Sequence, residues 1–377
     1  MREFLQWLST LSPFLEIPII IGVFVAVVGL ILFLVEIAPR RGRVYTIVRL
    51  AACVVTPALV LWLLQSYQWA IIAAAFVGLG FFFLDMRARK GAGSLFQLVA
   101  FLAPAIILLV VGLIVPAVQT TGQAFFDRTG DRFIGLDNFV WIFTQPQGLR
   151  VVLNTIVWVV ITPVVSTIAG LAYAYFIDKA RGEKYYKILV FLPMAISFVG
   201  ASIIWRFMYT SRPAGEPQIG FLNQVIVWLG GQPVNFLAVE PWNTLFLIIV
   251  LIWVQTGFAM VVLSAAIKGV PTEQLEAAEL DGTNAWQRFM NVVVPGIRGS
   301  LVVVLTTIAI ASLKVFDIVR TMTAGTNNTS VIANEMYTQL RSFEQGRAAA
   351  FAVVLFVLVL PLVIYNAVQL RKQQEVR

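Results

Sequence analysis

The chain has 377 residues, of which 59% are hydrophobic and only 12% charged, and its formal net charge is +8. A soluble domain of this length would carry about twice that charged fraction, so the composition indicates an integral membrane protein. Histidine is absent and Cys53 is the single cysteine, which removes the commonest metal ligand and general base and excludes an internal disulfide. The excess of Lys and Arg lies just beyond apolar runs, which is typical of membrane proteins and not of nucleic-acid binders.

Nine apolar runs have the length of roughly 17–25 residues that a transmembrane helix needs. They lie near residues 17–38, 48–64, 69–85, 95–118, 151–177, 188–209, 243–267, 299–319 and 348–370. The first run is too long for a signal-peptide core, so we expect it to be retained. The predicted fold is an all-α integral membrane protein of about nine transmembrane helices.

The distribution of basic residues predicts the orientation of these spans. Alternate connecting segments carry 17 and 8 Lys and Arg residues, and the richer set includes residues 268–298 and the C-terminus. Basic residues concentrate in cytoplasmic loops, so the N-terminus is expected outside and the C-terminus in the cytoplasm. No outside segment exceeds about 35 residues, which is too short for an independent domain. Any soluble capture of a substrate would therefore need another polypeptide.

The sequence of residues 268–298 predicts a helix followed by a tight turn. Pro271 suits the start of a helix, where its missing N–H would be unpaired anyway. Glu273 and Glu276 follow in the first turns, where the helix dipole favours negative charge. Gly282 is expected to end the helix, because glycine enters the left-handed conformation at little cost.

A second helix is predicted directly after the glycine turn. Asn284 and Gln287 have the spacing of a capping box, and the helix would run to just before Pro295. The residue types leave two interpretations of this short polar unit open. It is either a solvated connector or a docking element for a partner, since a helix laid into a groove is a common mode of recognition.

Residues 268–298 resemble the "EAA" signature of the membrane subunits of ABC importers. That signature is Glu-Ala-Ala, three residues, Gly, nine residues, then a hydrophobic residue, any residue, a hydrophobic residue and Pro. Here the spacing matches from Glu276 through Gly282 to Pro295, and Phe289 also fits. Thr283 departs from the usual alanine, and Val292 and Val294 replace the usual Ile and Leu.

The resemblance implies that residues 268–298, which we therefore call the coupling loop, seat in a cleft on a separate ATP-hydrolysing subunit. The residues expected to make the coupling contacts are Glu276, Ala277, Ala278, Asp281 and Gly282. The chain has no GxxxxGK[ST] phosphate-binding loop. We therefore expect a non-catalytic transport subunit without a cofactor of its own, with ATP and Mg²⁺ bound by the partner ATPase.

Further phrases extend the resemblance over residues 95–377, the permease core formed by the last six spans. "GLDNFVWIF", "LPMAISFVGASIIWRFMY" and "FDIVRTMTAGTNNTSVIANEMY" occur in the order found in permeases for maltose-like and other α-glucoside sugars. Residues 1–94 would hold extra transmembrane helices of open role, and the large extracytoplasmic domain of well-known maltose permeases is missing. The resemblance implies a prokaryotic cell membrane, a heterodimer with a second permease, two ATPase subunits and an extracytoplasmic solute-binding protein.

A sugar pathway needs polar groups together with aromatic rings. Residues of these types recur at helical spacing in three spans, and the candidates are Thr155, Trp158, Thr162, Ser166, Ser202, Trp205, Tyr209 and Gln255. Structural alternatives stay open, because Ser and Thr often bond a helix backbone and aromatic residues often form an interfacial belt. The few fixed charges among these candidates favour a neutral substrate, namely a di- or oligosaccharide and plausibly an α-glucoside.

Two other features carry expectations of their own. Lys314 and Asp317, three residues apart in the eighth span, suggest a local ion pair. Residues 320–347 are rich in hydroxyls and amides and are interpreted as a surface that faces the sugar and its binding protein, with a solvated connection as the alternative.

An ion-coupled secondary transporter is the competing function, but the midplane has few charges and no repeat of halves is evident. A membrane-embedded enzyme would need a nucleophile, base or metal constellation that this chain lacks.

Overall fold

A computed structural model describes residues 109–178 and 180–375, with side chains up to residue 368. The first three predicted spans and most of the fourth lie outside the described residues. The described part is helical, and it contains no β-strand beyond one isolated bridge between Phe126 and Phe133. The all-α character is thereby confirmed for this part of the chain.

The helices before the coupling loop begin with a π-helical turn, Val110–Ile114, that runs into α1. They are α1 Val115–Gln123, α2 Asp137–Thr144, α3 Pro146–Ile177, α4 Glu183–Phe191, α5 Phe198–Tyr209, α6 Phe221–Trp228 and α7 Trp242–Lys268. The helices of the coupling loop and beyond are α8 Thr272–Leu280, α9 Ala285–Arg288, α10 Val294–Gly296, α11 Arg298–Leu313, α12 Asp317–Met322, α13 Ile332–Arg341 and α14 Gln345–Glu375.

Three of the described helices are long and apolar enough to cross a membrane alone: Pro146–Ile177, Trp242–Lys268 and Gln345–Val368. Two bent pairs raise the number to five if each pair counts as one span. Multi-pass character is therefore supported, whereas the total of nine spans stays a prediction.

The ends of two long helices follow from their residue types. Pro146 begins α3 at a position where its missing N–H costs nothing, and Lys268 ends α7 where the helix dipole favours a cation.

The sixth predicted span, 188–209, is not one straight helix. A 3₁₀ turn at Leu192–Ala195 follows α4, and the chain bends by 102° before α5 begins. Ser197 causes the restart, because its side chain accepts a hydrogen bond from the Gly200 N–H at 3.1 Å and caps α5. Apolar composition continues through this break, so hydropathy alone could not detect it.

The eighth predicted span, 299–319, is also shorter than expected. Its helix α11 ends at Leu313, and the chain leaves the helix before α12 begins at Asp317. Lys314 and Asp317 therefore lie on different elements, and no ion pair within 4.0 Å joins them in the described structure. The expected local ion pair was wrong, because the spacing argument needs an uninterrupted helix.

Three buried apolar clusters hold the described helices together. One joins α3, α5 and α7 around Trp158 and Leu251, and a second joins α2, α3, α13 and α14 around Phe351. The third, around Met260 and Ile308, joins α3, α7 and α11 close to the coupling loop. The pairing of α3 with α7 is especially close, since a Cβ placed on Gly170 would overlap the Ala259 Cβ. Small residues permit such contact between membrane helices.

Candidate coupling loop and transport pathway

The first arm of the coupling loop is α8, which begins directly after Pro271 as the sequence predicts. Gly282 has φ +77°, so it ends the helix in the left-handed conformation. Its N–H donates to the Glu279 carbonyl at 3.0 Å, and the next N–H, of Thr283, donates to Ala278 at 3.2 Å. The Thr283 hydroxyl donates to the same carbonyl, so the departure from the usual alanine adds a bond to the turn.

The second arm confirms the predicted capping box. The Asn284 side chain accepts from the Gln287 N–H at 2.9 Å, and the Gln287 side chain accepts from the Asn284 N–H at 2.9 Å. The helical path continues through a π turn at Phe289–Val293 and ends at Gly296, so it passes Pro295 instead of stopping before it. The π turn shifts the hydrogen-bond pattern just ahead of the proline, which lets the helix accommodate a residue without an N–H.

The tip of the coupling loop, where α8 and α9 meet, is exposed to solvent, whereas its base packs against the long helices. Leu280 is 89% exposed and Trp286 64% exposed, beside the exposed carboxylates of Glu276 and Asp281. A salt bridge of 3.0 Å between Glu279 of α8 and Arg288 of α9 connects the two arms of the loop. Exposed apolar side chains edged with acids are a surface that a partner can cover.

The base of the coupling loop packs against the ends of the long helices. Val270 and Ile297 belong to the buried cluster shared by α3, α7 and α11, and Phe289 is buried as well. The Phe289 ring lies 4.5 Å from the Tyr175 ring of α3, measured between centroids. The base of the loop is therefore packed against the ends of these helices.

The candidate pathway residues of α3 are fully buried inside the described part of the chain. Thr155 donates to the Val151 carbonyl at 2.8 Å and accepts from the Ile332 N–H at 3.0 Å. Trp158, Thr162 and Ser166 are also buried, and their polar atoms have no hydrogen-bond partner among the described residues. Thr155 thus has a structural role, while the other three lie on the same helix without a satisfied polar group.

The candidates of α5 form an aromatic cluster with α7. Ser202 is buried and donates to the Phe198 carbonyl at 2.6 Å. Trp205 lies 5.3 Å from Tyr209 and 5.8 Å from Trp253 between ring centroids. The Tyr209 hydroxyl donates to a carbonyl of α7 at 2.9 Å and the residue is only 3% exposed, so it does not belong to a lipid-facing belt.

Gln255 has a different environment from its neighbours in the middle of α7. Thr256 is buried and donates to the Ile252 carbonyl at 2.7 Å, whereas Gln255 is half-buried and makes no hydrogen bond within the described residues. A side-chain amide at this depth needs a partner, because unpaired polar groups are costly in an apolar medium. Gln255 is consequently a candidate whose partly exposed amide is free to meet a group from outside the described chain.

Sequence reasoning missed a network of amides at the end of α7 remote from the coupling loop, which we call the far end. The Asn154 side chain donates to the carbonyls of Asn328 and Ser330 at 2.6 and 2.9 Å, and that of Asn243 donates to Asn327 at 2.7 Å. The one local signal is "GTNNTS", in which Asn327 and Asn328 adopt positive φ. Asparagine tolerates that conformation better than most residues.

A buried carboxylate completes the network at the far end. Glu335 is 4% exposed and accepts from Gln147, Ser330 and Gln339 at 2.8–2.9 Å. Residues 331–335 are all buried, so this part of the 320–347 segment is a packed element and not a solvated connection.

Two polar cavities open at the far end within the described part of the chain. One, of about 330 Å³, has Arg206, Asn235 and Arg320 among its lining residues and no Asp or Glu. The other, of about 410 Å³, is lined by residues of the amide network together with Arg150. Arg320 also stacks over the Tyr337 ring, 4.7 Å from its centroid.

Comparison with known proteins places this architecture among transport proteins. Residues 166–374 match the family described as "Binding-protein-dependent transport system inner membrane component". The α-glucoside transport system permease protein AglF of Rhizobium meliloti is 45% identical over 268 residues, which are 71% of this chain and 80% of that protein. The osmoprotective compounds uptake permease protein GgtC of Synechocystis is 44% identical over 278 residues, which are 74% of this chain and 100% of that protein.

A solved structure supports the fold as well. The crystal structure of a bacterial alginate ABC transporter, in complex with a periplasmic protein that holds an alginate pentasaccharide, contains a similar chain with a TM-score of 0.64 and 25% identity. The similarity covers 74% of this chain and 96% of that one.

Proposed function

The chain belongs to the family of binding-protein-dependent transport system inner membrane components, and we propose that it forms half of an alternating-access pathway for a neutral di- or oligosaccharide. The observation that carries the proposal is the coupling loop. Its tip is exposed, its turn is fixed by Gly282 at φ +77°, and its base packs on α3, α7 and α11. An element that is exposed, bridged between its two arms by Glu279 and Arg288, and joined to the long helices has the properties needed to receive movement from a separate ATPase.

An α-glucoside is the proposed substrate class. A relative that is 45% identical carries α-glucosides by its name, and the candidates on α3, α5 and α7 offer hydroxyls, an amide and aromatic rings. Such groups suit a sugar, whose ring has apolar faces and whose hydroxyls need hydrogen bonds. Osmoprotective compounds are the second candidate class, because the relative GgtC is 44% identical and named for them.

The proposed assembly has four kinds of component. This chain would pair with a second permease to close the pathway against lipid, and two ATPase subunits would bind the coupling loops and supply ATP hydrolysis with Mg²⁺. A soluble binding protein would dock at the far end, where the two polar cavities open. The far end would then lie outside a prokaryotic cell membrane, with the N-terminus outside and the coupling loop and C-terminus in the cytoplasm.

Contacts are proposed for named residues within this assembly. Glu276, Ala277, Ala278, Asp281 and Gly282 would meet the ATPase, where small alanines permit close docking and a carboxylate can pair with a basic group. Gln255 is the leading pathway residue, because its amide has no partner among the described residues and, unlike the unpaired groups of Trp158, Thr162 and Ser166, it is partly exposed. Trp205, which packs against Trp253 of α7, is a second proposed pathway residue.

The test is ATPase stimulation in proteoliposomes that contain the complete complex. The cognate binding protein would be added empty or loaded with an α-glucoside, and binding proteins for an amino acid and for phosphate would serve as controls. Stimulation by the α-glucoside-loaded protein alone is expected. Stimulation only by a protein loaded with an osmoprotective compound would move the substrate to the second class, and stimulation only by amino-acid or phosphate proteins would overturn the sugar assignment.

A further inference from the structure

Four charged side chains and one serine meet at the end of the bundle that carries the coupling loop. Asp178 follows the last residue of α3, Glu183 and Lys187 lie on α4, and Ser264 and Lys268 lie on the last turns of α7. We call these five residues the Lys187 cluster. It joins three helices, and none of its members belongs to the EAA signature.

Lys187 is at the centre of the cluster. Its ammonium nitrogen lies 2.6 Å from Asp178 Oδ1 and 2.6 Å from Glu183 Oε1, and it also donates to Ser264 Oγ. An ammonium group has three N–H donors, so all three have an acceptor here. Ser264 Oγ in turn donates to Asp178 at 2.8 Å, which closes a ring between α3, α4 and α7.

Backbone packing holds the three helices close enough for this ring. A Cβ placed on Gly257 of α7 would lie 2.7 Å from the Val190 carbonyl oxygen of α4, so only glycine fits there without movement. The side chain of Asp178 is 10% exposed and that of Lys187 is 23% exposed. A solvated surface pair contributes little, whereas a partly buried and fully hydrogen-bonded group resists separation.

The cluster reaches the root of the coupling loop through Lys268. This residue ends α7, it donates to Glu183, and α8 begins four residues later at Thr272. The segment that leads into the coupling loop is therefore bonded to α4, which leads through the 102° bend to α5.

We propose that the Lys187 cluster is a positioning device that makes the root of the coupling loop and the ends of α3, α4 and α7 move as one body. Displacement of the loop by the ATPase would then reach the candidate pathway residues on α3, α5 and α7 together. This inference rests on the proposed function and adds to it a specific mechanical connection. The two acids and two lysines carry no net charge together, so the cluster is suited to holding elements together and not to binding an ion.

The first experiment compares Lys187→Gln with Lys184→Gln in the reconstituted complex. Lys184 lies on the same helix, is exposed, and has no ion pair or hydrogen bond within the described residues, so it is a matched control. Transport and stimulated ATP hydrolysis are measured per assembled complex. For Lys187→Gln we expect normal basal hydrolysis but about tenfold less sugar transported per ATP, in the range by which residues that couple distant sites act. Lys184→Gln should behave as the unmodified chain.

Lys268→Gln provides a milder variant, since this side chain is 53% exposed and its loss should not prevent assembly. It should lower the ratio of transport to ATP hydrolysis in the same direction. Combining Asp178→Lys with Lys187→Asp should restore part of the ratio lost in either single variant. Unchanged ratios in Lys187→Gln and Lys268→Gln, with or without a loss of assembled complex, would overturn the proposal.

A distance measurement tests the rigid connection itself. Spin labels at Tyr185→Cys of α4 and Asn291→Cys of the coupling loop, in a Cys53→Ala background, should keep one separation with and without ATP; both positions are exposed and lie outside the proposed ATPase contacts. Lys187→Gln should broaden or shift that separation. A large change of separation in the unmodified cluster would overturn the proposal, whereas a wild-type complex whose ATPase is never stimulated would overturn the proposed function instead.

Discussion

At one end of α7 the chain enters the coupling loop, whose capping interactions join residues within five positions of each other and whose tip is exposed. At the far end, some 40 Å away for a helix of 27 residues, the amides of Asn154 and Asn243 bond carbonyls that are 174 and 84 residues distant along the chain. The coupling loop is therefore locally determined, and the far end is determined by the packed fold.

Because of this difference, substitutions in the two regions are expected to affect different properties: function at the coupling loop and stability at the far end. A change at the exposed tip of the coupling loop removes no buried contact, so it should affect the response to a partner and leave the fold intact. A change in the far-end network leaves buried donors or acceptors unpaired, which costs about 1–3 kcal/mol for each group.

The coupling loop and the far end are expected to lie on opposite sides of the membrane, which is the largest expected difference between them. In a Cys53→Ala background, a cysteine at Thr326 should react fully with an impermeant thiol reagent in intact cells, and one at Asn284 should not react. Both positions are exposed in the structure, so shielding by the protein does not explain a difference. Both should react after permeabilisation of cells that produce the chain without its ATPase partner, which would otherwise cover position 284. Labelling of position 284 in intact cells would overturn the proposed orientation together with the coupling role.

The next largest effect is expected at Gly282. A valine there should lower transport and stimulated hydrolysis more than about tenfold, because a β-branched residue is a genuine outlier at φ +77°. The matched control is Gly282→Asn, which tolerates this conformation and should keep most of the activity. Uptake assays and the amount of assembled complex are both measured. No atom lies within 4 Å of a Cβ at this position, so assembly should be normal and normal uptake by the valine variant would contradict the assigned role.

The coupling loop could be predicted from the sequence because its determinants are close together. Pro271, Gly282, Asn284 and Gln287 lie within 17 positions, and each acts on the backbone beside it. Their interactions in the structure are those that the residue types imply.

The far-end network and the broken sixth span could not be predicted in the same way. In the sequence, Asn154 is one more polar residue in an apolar helix. Its partner carbonyls lie beyond residue 327 and come close to it only in the folded chain. In the sixth span, the hydropathy of residues 188–209 is continuous, and the break depends on the cap at Ser197 and the 3₁₀ turn that contains Pro193. These residues were visible signals, but their effect was masked by the apolar run around them.

A moderate effect is expected from Glu335→Gln at the far end. Its carboxylate accepts from Gln147, Ser330 and Gln339, and a glutamine amide would present a donor to at least one of them. The expected destabilisation is about 1–3 kcal/mol, seen as a lower melting temperature of the purified complex, with transport per folded complex retained. Glu216→Gln, at an exposed position, should not change the melting temperature. A normal melting temperature combined with lost transport would show that the far end acts in function and not in stability.

The smallest effect is expected midway between the two ends, at Gln255. Its amide has no partner within the described residues, so replacing it should remove no interaction of the fold. Gln255→Leu should instead remove one hydrogen bond to the sugar, worth about 1 kcal/mol, and so raise the KM for transport about fivefold at an unchanged melting temperature. Thr256→Val is the matched control, because that hydroxyl is already bonded to the Ile252 carbonyl and should have no part in sugar binding. Transport would be measured against sugar concentration with saturating binding protein. A lower melting temperature for Gln255→Leu with an unchanged KM would assign Gln255 to packing against a partner helix and remove it from the pathway.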